Sequence, residues 1–228
     1  MIRRLSAPAT LMVFLALAGK ATAESPFTAS IAVDRNYGYQ GLSQGEDRTL
    51  LSASARYSGE HFVAGMWVGE YELPWYEDGT EEVDWFIGYQ TRLSFDQRIE
   101  TSLWHYTYLD DAYERYDWTQ WIASYHLGQR LTITAGLADN LLGSEATSSF
   151  AEVTLRHAVG PLLTSLGIGR NNLSNTRFES FEYARAQASW GQDKWSVYVN
   201  YTWSGTGNYL TELVRHEGPG LGFSYRLH

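Results

Sequence analysis

The sequence predicts an all-β chain: an antiparallel, up-and-down transmembrane β-barrel of about twelve strands. Three observations lead there. From Phe27 onward the chain divides into twelve runs in which apolar residues alternate with small or polar ones, the period of a strand with two unlike faces. The connections between runs are alternately tight and long. Tryptophan and tyrosine gather near the ends of the apolar faces, where a lipid-facing wall would meet its two interfaces. A soluble sandwich or a lipocalin-like barrel also alternates, but it turns its apolar face inward and seldom places such rings at both ends of that face.

Each run carries the same pair of faces. Residues 27–39 set Phe27, Ala29, Ile31 and Val33 against Ser30, Asp34 and Asn36. Residues 48–58 set Leu51, Ala53, Ala55 and Tyr57 against Ser52, Ser54 and Arg56, and 61–73 set Phe62, Ala64, Met66 and Val68 against Gly65, Trp67 and Gly69. In 82–93 the apolar set is Val83, Trp85, Ile87, Tyr89 and Leu93; the polar set is Glu82, Asp84, Gly88, Gln90 and Arg92. Residues 98–109 oppose Ile99, Leu103 and Leu109 to Arg98, Glu100, Ser102, Trp104, Tyr106 and Tyr108. The pattern continues through 117–127, 130–139, 149–159, 162–171, 181–190 and 194–203, with Gln120, Ser124, His126, Thr132, Glu152, Arg156, Arg185 and Asn200 on the polar face. In 218–228, Leu221, Phe223, Tyr225 and Leu227 oppose Gly220, Gly222, Ser224 and Arg226.

The tight connections fall at 58–61, 95–97, 128–129, 160–161 and 191–193; the long ones at 41–47, 74–81, 110–116, 140–148, 172–180 and 204–218. Outer-membrane barrels have short periplasmic turns, longer extracellular loops and an even strand number, so this alternation predicts both termini on the periplasmic side. Before the barrel, Arg3 and Arg4, the apolar stretch 11–18 and Ala21-Thr22-Ala23 form an export signal, predicted to be cleaved so that the mature chain begins near Glu24. Eight apolar residues are too few to span a bilayer, and no later stretch is long enough for a helical span. The expected organisation is a signal peptide, 1–23, and one barrel, 24–228. A formal net charge of −9 for the whole chain, more negative once the basic leader is removed, argues against a nucleic-acid partner. With no cysteine, disulfides and thiolate chemistry are excluded.

Several short stretches resemble one family. Tyr39-Gln-Gly-Leu-Ser-Gln44 is similar to a Tyr-Arg-Gly-x-Ser-Gln motif; Gly65-Met-Trp67, Glu82-Val-Asp-Trp-Phe-Ile-Gly-Tyr89 and Tyr106-Thr-Tyr108 follow in order. The chain thus resembles the Gcw_chp proteins, also called TorF-family porins, best over residues 29–127. The resemblance implies a bacterial outer-membrane barrel and does not by itself establish transport. Two positions depart from the pattern: Gln40 stands where the family has arginine, and Leu109 where it has proline. If that arginine sets a pore charge, this chain differs.

The polar faces predict the lumen. Asp34, Asp84, Glu100 and Glu152 fall inside, with Arg56, Arg92, Arg98, Arg156, Arg185 and Arg226. Such charges must pair or stay wet, so they either plug a narrow barrel with ion pairs or line a water-filled pore. Trp67, Tyr71, Phe86, Trp104, Tyr106, Tyr108 and Tyr198 also point inward, to fill space or to stack on flat solutes. Glu46, Asp47, Glu77, Asp78, Glu81, Asp110, Asp111 and Glu114 make the long loops acidic, but no spacing matches a defined metal loop; a solvated surface, or divalent bridging to lipopolysaccharide, fits better. No cofactor is implied. The 204–218 loop, with Tyr209, Leu210, Leu213 and Val214, is the expected constriction.

The leading reading is an outer-membrane channel for passive diffusion of small polar solutes or ions, with outer-membrane lipid and lipopolysaccharide as surroundings. A non-conducting structural or adhesion barrel is the alternative. A lipid-modifying enzyme is a third: His105 and His157 fall on the outward face, but neither shows a nucleophile within sequence reach, and Ser43 has no recognisable partner.

Overall fold

The computed structural model describes residues 26–36, 38–40, 42–43, 49–71, 80–109, 116–141, 147–173, 179–192, 194–205 and 217–227. The predicted leader and most of the acidic loop residues lie outside these. The barrel strands are β1 (Phe27–Arg35), β4 (Thr49–Ser58), β5 (Phe62–Tyr71), β6 (Thr80–Arg92), β7 (Gln97–Tyr108), β8 (Trp118–Leu127), β9 (Leu131–Asp139), β10 (Ser148–Val159), β11 (Leu162–Leu173), β12 (Phe181–Gln192), β13 (Trp195–Ser204) and β14 (Gly218–Leu227). Two short strands, β2 (Gly38–Tyr39) and β3 (Leu42–Ser43), form a ribbon inside the first long connection. The twelve barrel strands pair antiparallel with their chain neighbours, and β1 pairs with β14 to close the ring.

Register carries one face unbroken around the circumference. Ile31 lies opposite Ala53, Ala53 opposite Val68, and Val68 opposite Val83. Leu103–Trp121–Leu137 and Val153–Ile168–Ala184–Trp203 continue the outer wall, and Val197–Phe223–Val33 brings it back to β1. Of these, Val33, Leu103, Trp121, Leu137, Val153, Ile168, Val197, Trp203 and Phe223 stand exposed, whereas Ala53 and Val68 are buried among their neighbours on the same face. Exposure of such a continuous band is explained by a lipid solvent, not by water. Ten-residue strands tilted about 45° span ~23 Å, close to the ~25 Å apolar band of such barrels. Rings mark both edges of the band. Phe27, Tyr57, Phe62, Tyr89, Tyr125, Trp190, Trp195 and Tyr225 lie toward the tight turns; Trp85, Trp121, Tyr201 and Trp203 lie toward the long loops.

The tight turns are made by residues suited to them. Gly128 and Gly160 adopt φ of +52° and +58°, where a side chain would be strained. Gly59 N–H donates to Phe62 O at 2.9 Å, and Leu93 N–H to Gln97 O at 2.9 Å. One predicted boundary is corrected. The first run does not continue to Tyr39: β1 ends at Arg35 because Asn36 turns to φ +55°, and its side-chain amide donates to Pro219 O at 2.8 Å. Asparagine tolerates this left-handed conformation, which breaks the alternation just where its polarity seemed to continue it.

Inside, glycines seat rings. A side chain at Gly65 would collide with Phe86, one at Gly136 with Phe150, one at Gly169 with Tyr183 and one at Gly222 with Tyr198. Each pair lies on adjacent strands in register, so the ring folds flat over a bare stretch of backbone. Gly136→Val should therefore displace Phe150 and destabilise the folded barrel by roughly 1–3 kcal/mol, read as a lower urea midpoint in detergent. An unchanged midpoint would mean the ring does not depend on that seat.

Candidate functional site

Parity places every predicted lumen residue on the inner wall, in two zones. The zone near the tight turns is charged. Arg56 Nη2 lies 2.9 and 2.8 Å from the two carboxylate oxygens of Glu100, across β5 and β6. Its cross-strand neighbour Gly65 offers no side chain to block it, and its guanidinium sits 5.2 Å from the centre of the Phe86 ring. Arg98 donates to Gln90 Oε1 at 3.2 Å and approaches Glu100 at 4.0 Å. On the other side Glu152 accepts hydrogen bonds from Thr154 (2.6 Å) and Tyr183 (2.9 Å) and lies 3.5 Å from Arg185. Toward the long loops, next to the end of β1, Asp34 accepts from the Tyr198 hydroxyl.

The arginines are not all paired. Arg156 donates to Thr132 Oγ1 at 2.7 Å, and that oxygen also meets His126 Nδ1 at 3.2 Å. Arg92 and Arg226 stand exposed at the turn-side mouth. Among the described residues, Arg92, Arg156 and Arg226 have no carboxylate partner. A cavity of about 580 Å³ opens at this mouth, lined by Ser30, Ser54, Arg56, Lys194, Ser196 and Arg226.

Toward the long loops the inner wall becomes aromatic. Phe86, Trp104, Tyr106 and Trp118 form a stacked series with successive centroid separations of 4.2, 6.2 and 3.9 Å. Tyr71 packs on Tyr108 at 5.0 Å, and both belong to a buried cluster with Tyr106, Trp118, Phe181 and Tyr183. Below this cluster a second cavity of about 240 Å³ is lined by Trp67, Phe86, Trp104 and Tyr106 together with Glu82 and Asp84.

The first long connection enters the lumen. Gln40, at φ +52° between the strands of the small ribbon, is buried. Its amide exchanges hydrogen bonds with Gln120 of β8 at 3.3 and 3.1 Å, and its backbone carbonyl accepts from Asn171 of β11 at 2.7 Å. Tyr106 also donates to Gln120 at 3.1 Å, and Gln120 is only 1% exposed. A residue from the loop between β1 and β4 is thus tied to the opposite wall. The loop expected to constrict the lumen, 204–218, lies mostly outside the described residues; among those described, Gln40 occupies that place.

Parity extended one step toward the loops would have found Trp118, Phe150 and Tyr183, each two residues before a polar residue already assigned to the inner face. No local pattern marks Gln40 as an anchor or pairs it with Gln120 and Asn171.

On the outer wall His105 lies beside Trp85, ring centres 5.3 Å apart, and its Nδ1 is hydrogen-bonded to Thr119 Oγ1 at 3.0 Å. Asp139 accepts from the Thr119 backbone amide at 3.0 Å. A carboxylate on the amide leaves the imidazole without an orienting acid, so the three do not form a nucleophilic relay. His157 is exposed, and its carbonyl accepts from Thr164 at 3.1 Å.

No family model matches the chain, and no curated protein matches it. Solved structures do. The chain is similar to the KdgM porin in complex with disordered oligogalacturonate, with a TM-score of 0.57 and 10% identity over 88% of this chain and 99% of that one. A second KdgM porin structure gives 0.53 and 9% over the same shares. The COG4313 outer membrane channel from Pseudomonas putida F1 gives 0.55 and 13% over 92% of this chain and 97% of that one. At these identities the likeness is one of fold: the chain has the closed barrel architecture of outer-membrane porins and channels.

Proposed function

We propose that the chain is exported by its N-terminal leader to the outer membrane and acts there as a narrow channel for passive diffusion of small polar solutes or ions. The observation that carries this reading is the set of arginines without an ion pair at the turn-side end of the inner wall. A barrel plugged by ion pairs would neutralise its inner charges; here half-buried Arg156 forms no ion pair among the described residues, and Arg92 and Arg226 stand exposed at the mouth with Lys194 beside them. Such groups remain ionised only where water reaches them, so the turn-side half of the lumen is wet. The fold shared with the KdgM porin and the COG4313 channel supports the same reading, and neither of those is named as an enzyme. The stretches around Tyr39, Trp67 and Tyr106 support a place near the Gcw_chp family. The acidic loops suit contact with lipopolysaccharide through divalent cations.

In this reading polar side chains replace part of a solute's hydration, and the arginine-rich half biases the charge of what enters. Planar-bilayer reversal potentials under a salt gradient should move toward cation selectivity in Arg156→Ala and in Arg185→Ala. Unchanged potentials in both would remove these arginines from the conducting path.

The tie between Gln40 and Gln120 sets the narrow point. Gln120→Leu leaves the Gln40 amide without its partner, at a cost of about 1–3 kcal/mol in stability, and frees the first loop to leave the lumen. Proteoliposome swelling assays should then show faster entry of disaccharide-sized solutes than in the parent. Identical size limits would contradict the assignment of this contact as the constriction.

A further inference from the structure

Glu82 and Asp84 stand two residues apart on the inner face of β6, 2% and 8% exposed. Asp84 lies in register between Trp67 of β5 and Tyr106 of β7; Glu82 lies between Gly69 and Tyr108. Neither carboxylate forms an ion pair among the described residues. The arginine that shares their cavity, Arg56, is ion-paired with Glu100 at 2.8 Å. Asp84 Oδ1 is buried without a hydrogen-bond partner, and Asp84 lines the 240 Å³ cavity. Both carboxylates line this cavity with the rings of Trp67, Phe86, Trp104 and Tyr106, and the Arg56 side chain lines it as well.

We propose that this cavity is a binding subsite for a small solute bearing a protonated amine; this deepens the channel reading and rests on it for the route of access. Buried carboxylates without a cation are costly, and a ligand ammonium supplies the missing partner. The surrounding ring faces attract the same charge and pack against the carbon skeleton that bears it. The volume is about eight times the ~30 Å³ share of one water, room for a solute of roughly monosaccharide size. A metal ion fits less well. Hard cations need six or more oxygen ligands, whereas the described residues include no group of three or more His, Cys, Asp or Glu side chains able to hold one, and here the remaining wall is largely aromatic. An anionic solute would meet two carboxylates.

Glucosamine and glucose share a ring and differ by an ammonium in place of one hydroxyl, so they isolate the charge. Isothermal titration calorimetry on the full-length chain, folded in detergent, should show glucosamine binding at least tenfold tighter than glucose, with galacturonate not competing. Glu82→Gln/Asp84→Asn, which keeps side-chain shape, should abolish that preference. Glu60→Gln, in an exposed tight turn, should retain it. Equal binding of glucosamine and glucose, a preference for galacturonate, absence of glucosamine binding, or an intact preference in the double variant would each overturn the proposal. Binding is read without current. A barrel that binds glucosamine but never conducts defeats the channel reading and spares the subsite; one that conducts without binding does the reverse.

Discussion

Backbone hydrogen bonding in a medium without water is the constraint on which the rest depends. A strand in hydrocarbon cannot leave an edge unpaired, so the last strand must return to the first. Here β14 meets β1 with Val33 opposite Phe223 and Asp34 opposite Gly222. Closure at that register also keeps the two faces separate. A slip of β1 by one residue would turn Ile31 and Val33 into the lumen and carry Asp34 into lipid. The apolar outer band and the polar inner wall are therefore two consequences of one pairing.

Closure fixes the available interior, and the side chains divide it. Near the tight turns, serine, glycine and long arginines leave a cavity of about 580 Å³. Near the long loops, rings fold over glycines and close the space. Arg56 spans the two zones, with its charge held by Glu100 and its guanidinium beside the Phe86 ring. Gln40 adds a hydrogen-bonded crosspiece, because an amide that donates and accepts can satisfy Gln120 and be satisfied by it in the same buried place. The lumen is asymmetric along its axis, basic at one end and aromatic toward the other, where Glu82 and Asp84 form no ion pair among the described residues.

The architecture was legible because it rests on parity, and parity is local. The alternation around Trp85 or Leu103 reveals a two-faced strand without knowledge of its neighbours. The same parity put Asp84, Arg98 and Glu152 on the inner wall. It could not reveal that Arg56 reaches Glu100 past two strands, or that Arg156 meets Thr132 instead of an acid, because those outcomes depend on register summed around the ring. Asn36 misled for a different reason: it reads as one more polar position, yet its ease in the left-handed conformation ends the strand. Gln40 was noticed only as a departure from a family motif; its role comes from a contact 80 residues away in sequence.

The central claim is that the turn-side lumen is a hydrated path and not a plug. Single-channel recording of the refolded chain in a planar bilayer with simple salt tests it most directly, with circular dichroism establishing that the inserted material is folded strand. The account predicts discrete, reproducible current steps of small amplitude, as a barrel narrowed by Gln40 and the aromatic wall would give. A folded, inserted barrel that stays silent at all voltages would contradict it and would mean that the arginines are neutralised by groups outside the described residues.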